Sequence, residues 1–202
     1  MHTISEGQLS TFRRQLEKYV VFTDVEWEIF QQHLDYTTFK KKQHFLEAGN
    51  ICNYIGFILV GSVRYYYIKD GIELTGYFNY ENEYISSYKS FLTGCVALNN
   101  IQALEPSEII LISRKNMDLM LSNPSISFKI ERFNRQLAEY LVVCYEDRTN
   151  SFITQTPEER YLGLMKTGKE ILQKVPQHYI ANYLGITPVS LSRIRKRISE
   201  KK

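Results

Sequence analysis

The 202-residue chain is 44% hydrophobic and 23% charged, which excludes a disordered tail, a collagen-like rod or a disulfide-rich miniprotein. The length suits one large domain, or one domain plus a small appended module. The net charge of +3 is close to neutral, but from Thr156 to Lys202 ten basic residues stand against four acids, a local +6 that leaves −3 for the rest. A mildly acidic body with a basic tail module is the first functional clue.

No apolar run approaches the roughly 18 residues needed to cross a bilayer. The first residues, Met1–Gly7, carry neither the basic nor the apolar region of a signal peptide, so a cytoplasmic protein without a membrane partner is expected. Cys52, Cys95 and Cys144 are odd in number and far apart, as buried thiols would be, and they suggest neither a disulfide framework nor a metal site. His2, His33, His44 and His178 form no ligand spacing, and there is no nucleophile elbow or phosphate-cradling glycine loop. The sequence therefore predicts no enzyme, no catalytic residue, no metal and no cofactor.

In chain order, Leu9, Phe12, Leu16 and Tyr19-Val20 recur at helical spacing. Thr23-Asp-Val-Glu26 reads as a capping box, opening a second helix through Trp27, Phe30 and Leu34. Aromatic and β-branched residues then dominate. Candidate strands are Thr38–Lys41, His44–Glu47, Tyr54–Val60, Val63–Lys69, Glu73–Phe78, Ile101–Leu104 and Ile109–Ser113. Asp70-Gly71 predicts a type I′ hairpin turn, and the succession of short strands predicts a small barrel or jelly roll. Its tyrosines can pack their rings with wet hydroxyls, or line a ligand pocket.

Helical patterning returns after Ser113, with Asn123-Pro124 as a helix start. Ile126, Ile130, Phe133, Leu137, Tyr140 and Cys144 then form an a/d seam flanked by Lys129, Arg132, Arg135, Glu139 and Glu146. Such a stripe can pack onto the barrel. A partner helix in a homodimer is the preferred expectation.

Thr156-Pro-Glu-Glu159 is a second capping box. It opens a helix whose apolar face is Tyr161, Leu164, Met165, Gly168, Ile171, Leu172 and Val175. Pro176 ends that helix and begins the next, Gln177–Leu184. In this next helix Ala181 permits close helix approach, Gly185 permits a tight turn, and Leu184, Ile186, Leu191 and Ile194 supply the contacts of a helix-turn-helix. Thr187 can cap the second helix and Pro188 can begin it. At 100° per residue, Leu191, Ile194 and Ile198 face inward. Val189, Ser192, Arg193 and Lys196 share the opposite face, suited to the major groove: Arg193 for a guanine, Val189 for a thymine methyl. Arg195 and Arg197 flank it as candidate phosphate contacts. The bland alternative is a solvated basic run at a helix end. With the turn residues Pro188 and Ser190, the candidate DNA-binding set is Thr187, Pro188, Val189, Ser190, Ser192, Arg193, Arg195, Lys196 and Arg197.

This order of elements resembles the CRP/FNR family of bacterial transcription regulators, in the short form common in Bacteroidetes. The anchors are Phe57-Ile-Leu-Val-Gly-Ser-Val-Arg64 and Tyr179–Arg197. The resemblance implies an α+β chain with N-terminal helices, a cyclic-nucleotide-binding-like β-roll, a long dimerisation helix and a helix-turn-helix. The expected domains are a sensor over 1–122, a dimerisation helix over 123–150 and a DNA-binding domain over 151–202.

It also implies four partners: double-stranded DNA with a pseudo-palindromic operator, a second copy of the chain, RNA polymerase and a small-molecule effector. Arg64, Ser86, Ser87 and Lys89 are the candidate effector pocket. Cyclic-AMP-binding members carry a Gly-Glu pair and a later Arg-Ser or Arg-Thr. Ser86-Ser87 and Ala97-Leu98 stand there instead, so the effector expected is not cyclic AMP. Three dispersed cysteines imply no iron–sulfur cluster. The chain reaches Lys202 with no evident β-wing. Pro188 and Val189 replace the family's Arg and Glu at base-reading positions, while Arg193 keeps the basic type. The competing reading is a small-molecule-binding β-roll whose helical tail mediates protein contacts.

Overall fold

The computed structural model describes residues 4–167, 172–173 and 175–200. The chain opens with α1 (Glu6–Leu16) and α2 (Asp24–Gln31), each started by a reciprocal capping box: Ser5 with Gln8, and Thr23 with Glu26. Both helices are shorter than the apolar spacing predicts. Tyr19, Val20 and Leu34 lie beyond the helix ends, yet Val20 is buried and Leu34 half-buried. Apolar spacing thus outlasts the helical backbone, which is why periodicity overran the ends.

Eight strands follow in two four-stranded sheets. These are β1 (Asp35–Phe39), β2 (His44–Leu46), β3 (Tyr54–Val60), β4 (Val63–Lys69), β5 (Ile72–Asn79), β6 (Tyr84–Ile85), β7 (Asn100–Ala103) and β8 (Ser107–Ser113). One sheet runs β1-β8-β3-β6 and the other β2-β7-β4-β5. Within the first, β3 pairs antiparallel with β8, setting Ile55 opposite Ile112 and Phe57 opposite Ile110. The apolar run of β3 is buried at four successive residues, Ile55–Ile58, and α1 covers one face of it, with Phe12 packed on Phe57. β1 begins three residues before its predicted start, and two-residue β6 was too short to leave a pattern. Asp70 and Gly71 both have positive φ (52° and 76°), the type I′ turn that the dipeptide predicts.

Among the described residues up to Thr154, the remaining helices are α3 (Tyr88–Thr93) and α4 (Arg114–Leu121), followed by the 28-residue α5 (Ser127–Thr154). α5 begins later than Asn123-Pro124 suggests. The Asn123 side chain accepts from the Ser125 amide and its carbonyl from the Ser127 amide, folding that stretch into a turn before the helix starts.

The chain divides into two compact units, Met1–Arg64 with Asn79–Leu141, and Tyr65–Phe78 with Val142–Lys202. The first is centred on an aromatic cluster. Phe12 lies 4.9 Å from Phe57 and 6.1 Å from Phe30, and Tyr84 lies 5.2 Å from Phe57 and 5.3 Å from Phe133, between ring centroids. Tyr84 departs from the expectation of wet hydroxyls. Its oxygen is buried without a hydrogen-bond partner among the described residues, and burial pushes its pKa well above the usual value.

Lys129 of α5 forms an ion pair with Glu26 of α2 in this unit. The Lys129 ammonium, then the Thr23 amide and hydroxyl, hold the Glu26 carboxyl down at about 2, from 4.5. A depressed carboxyl stabilises the fold above its unfolded pKa and loses that contribution as pH falls through the folded value. Glu26→Gln, which can still serve the capping box, is therefore expected to cost about 1–3 kcal/mol at neutral pH and almost nothing near pH 2. Urea unfolding at both pH values checks this; an equal loss at both would assign the effect to the cap.

Candidate nucleic-acid interface

Among the described residues, the basic C-terminal quarter of the chain holds α6 (Pro157–Thr167), α7 (Gln177–Tyr183) and α8 (Pro188–Glu200). Thr156 starts α6: its hydroxyl accepts from the Glu159 amide at 3.3 Å, and the Glu159 carboxylate takes the Thr156 amide at 2.7 Å. Tyr161, Leu164 and Val175 are buried, as the predicted apolar face requires, while Gly168 and Ile171 of that face lie outside the described residues.

α7 ends in a Schellman turn. The Ile186 amide donates to the Ala181 carbonyl (3.0 Å) and the Gly185 amide to that of Asn182 (2.9 Å), with Gly185 at φ +70°. α8 then starts as predicted, the Thr187 hydroxyl accepting from the Ser190 amide at 3.2 Å, with Pro188 in the first turn. Ala181, Leu184, Leu191 and Ile194 are buried between the helices, and Ile186 and Ile198 are half-buried.

Thr187, Pro188, Val189, Ser192, Arg193, Arg195, Lys196 and Arg197 are exposed, and Ser190 is half-buried. Val189, an apolar side chain left 60% accessible, stands with Ser192, Arg193 and Lys196 along one side of α8. The cations are not equivalent. Arg197 pairs with Glu158 of α6 at 3.1 Å, so it ties α8 to α6 as well as adding charge. Lys196 lies 3.8 Å from Glu200, one helical turn on, a mostly exposed pair of small energetic weight. Arg193 lines an open groove of about 600 Å³ with Thr156, Pro157, Glu158 and Ser190.

Sequence reasoning missed two residues behind this surface. Arg148 near the end of α5 donates to the Tyr183 carbonyl at 2.5 Å, and Arg160 of α6 donates through Nε and Nη2 to the Leu184 carbonyl at 3.2 and 2.9 Å. Both close the carbonyl end of α7. In sequence they are lone arginines among polar neighbours, and no local pattern marks them.

The predicted α5 seam is placed differently from expectation. Ile126, Ile130, Phe133 and Leu137 are buried in the chain's own core, Phe133 against Tyr19 and Tyr84, while Tyr140 is exposed and Cys144 half-buried. Among the described residues, no cluster of three or more His, Cys, Asp or Glu side chains is placed to hold a metal, and no helix is long and apolar enough to cross a membrane.

No protein-family model matches the chain, and no curated protein matches it in sequence. Solved structures do match in fold. FixK2 from Bradyrhizobium japonicum superimposes with a TM-score of 0.65 at 16% identity, over 83% of this chain and 85% of that one. The c-di-GMP-responsive global regulator CLP from Xanthomonas campestris gives 0.65 at 14% identity, over 86% and 90%. A protein from Eubacterium rectale assigned to the CRP/FNR family of transcriptional regulators gives 0.68 at 14% identity, over 89% and 85%. The chain has the CRP/FNR regulator fold.

Within the CRP/FNR fold, three of the four candidate effector residues have side-chain partners of their own. Arg64, 1% exposed, donates through Nε and Nη2 to the Gln102 side-chain oxygen at 3.0 and 2.8 Å. Ser86 donates to the Tyr54 carbonyl, and Ser87 to the Asn99 side-chain oxygen. Lys89 is exposed. Ala97 is buried and Leu98 exposed.

Proposed function

We propose that the chain is a sequence-specific, DNA-binding transcription regulator that acts in the cytoplasm as a homodimer. In this reading residues 1–122 form the sensor, 123–150 the dimerisation helix and 151–202 the DNA reader. The observation that carries it is the outer side of α8: Val189, Ser192, Arg193 and Lys196, exposed together on a helix held by a Schellman turn and a threonine cap. An apolar tip, a hydroxyl and two cations on one face match the edges of a major groove. Arg195 adds charge toward phosphates. The α5 face for a second copy is the one opposite the buried stripe, carrying Phe128, Ala138, Val142 and Tyr145. Two such readers about 34 Å apart would meet successive major grooves of a pseudo-palindrome.

Binding to DNA from the chain's own upstream region is expected to weaken steeply with salt. Arg193→Ala is expected to cost about 1–3 kcal/mol on a selected site and clearly less on random DNA. Fluorescence anisotropy on both DNAs reads this directly. Equal loss on both would reduce Arg193 to a phosphate contact, and no binding at low salt would refute the function.

A further inference from the structure

We infer that Arg148, Arg160 and Asn182 are positioning residues, which fix the orientation of the helix-turn-helix so that two readers can engage two half-sites at once. This inference rests on the DNA-binding reading above. Helix C-termini leave carbonyls without intrahelical partners, and water or a cap normally takes them. At the end of α7 the Schellman amides take the Ala181 and Asn182 carbonyls, and two guanidiniums take those of Tyr183 and Leu184.

Arg148 donates to the Tyr183 carbonyl and lies over two rings, 3.8 Å from the Tyr183 centroid and 4.5 Å from that of Phe152. Arg160 forks onto the Leu184 carbonyl, and its Nη1 donates to the Gln155 carbonyl at 2.6 Å, just past the end of α5. Its guanidinium stands 4.6 Å from the Phe152 centroid, so Phe152 touches both arginines. The end of α5, the first turns of α6 and the end of α7 thus share one joint.

The third contact comes from the Tyr65–Phe78 hairpin, which belongs to the same compact unit. Asn182 of α7 donates its side-chain amide to the Glu73 carbonyl at 2.8 Å, and the Phe78 ring lies 5.3 Å from that of Tyr183. Arg148 is half-buried, and burial draws its pKa down from the ordinary arginine value. The aromatic faces and the carbonyl compensate that desolvation, and a planar fork meets both where a lysine point charge cannot.

None of these residues lies on the exposed side of α8, so their effect on DNA runs through geometry. A reader free to swing binds one half-site as before but loses the effective concentration that drives the second contact. The test uses full-length protein, with Asn182→Ala, which removes only a half-buried amide, and Arg148→Lys, which keeps the charge and loses the fork. Dissociation constants are measured for a two-half-site operator and for equal-length DNA bearing one half-site, with thermal melts alongside. Operator binding is expected to weaken about 5–30-fold in each variant, with half-site binding changed by less than about two-fold. Equal weakening on both DNAs, or no weakening on either, overturns the inference. Wild-type protein that binds neither DNA overturns the DNA-binding reading on which it rests.

Discussion

Gly185→Val is expected to destabilise the helix-turn-helix unit by about 1–3 kcal/mol. Two independent effects add. Gly185 sits at φ +70°, where an L-residue costs about 1–2 kcal/mol and a β-branched one fits worst. A Cβ built there would also lie 2.8 Å from Cε1 of Phe152. That ring is 42% exposed and can swing toward solvent, giving up part of its packing on Arg148 and Arg160, so the clash adds at most about 1 kcal/mol. Gly185→Asn separates the two, since asparagine tolerates the left-handed region and should keep mainly the clash. Urea unfolding followed by near-ultraviolet circular dichroism checks the order wild type, Asn, Val. A valine variant within about 0.5 kcal/mol of wild type, the range of innocuous surface changes, would show that the turn carries no such constraint.

That turn was legible in the sequence because its determinants are local. A glycine four residues after a small helix residue, then Thr-Pro, prescribes a left-handed residue and a helix start within seven positions. The Asp70-Gly71 hairpin and the bounded run of β3 were legible for the same reason, and each was placed closely. What the sequence left unread depended on partners distant in sequence. Arg197 also pairs with Glu158 of α6 at 3.1 Å, and no period in the chain announces that pair. Arg148 meets a carbonyl 35 positions away and Arg160 one 24 away, each chosen by the packing of helices rather than by neighbours in sequence. The stripe Ile126–Cys144 was correctly read as apolar. A heptad pattern states only that a face must be covered, and here the chain's own aromatic core covers its first half.

The face left over yields the second large effect. Two residues advance an α-helix by about 200°, so the positions two beyond Ile126, Phe133 and Tyr140 lie nearly opposite the buried stripe. Phe128 there is 74% exposed and Val142 57%. Ala138, Val142, Tyr145 and Thr149 keep the alternating four-three spacing of a coiled-coil seam along a helix about 42 Å long. Val142→Glu should leave the folded chain almost untouched, since the side chain already faces solvent. In the two-fold dimer proposed above, the substitution would set glutamates from both chains into the same seam, unpaired and losing water. The dimer is expected to weaken at least about 100-fold, near 3 kcal/mol, and operator binding to fall with it as the second half-site contact is lost. Phe133→Ala on the buried side should do the reverse, costing about 3–5 kcal/mol of fold stability through the cavity it leaves. Sedimentation equilibrium with thermal melting separates the two. A Val142→Glu protein that remains dimeric and binds its operator would place the partner on another surface of the molecule.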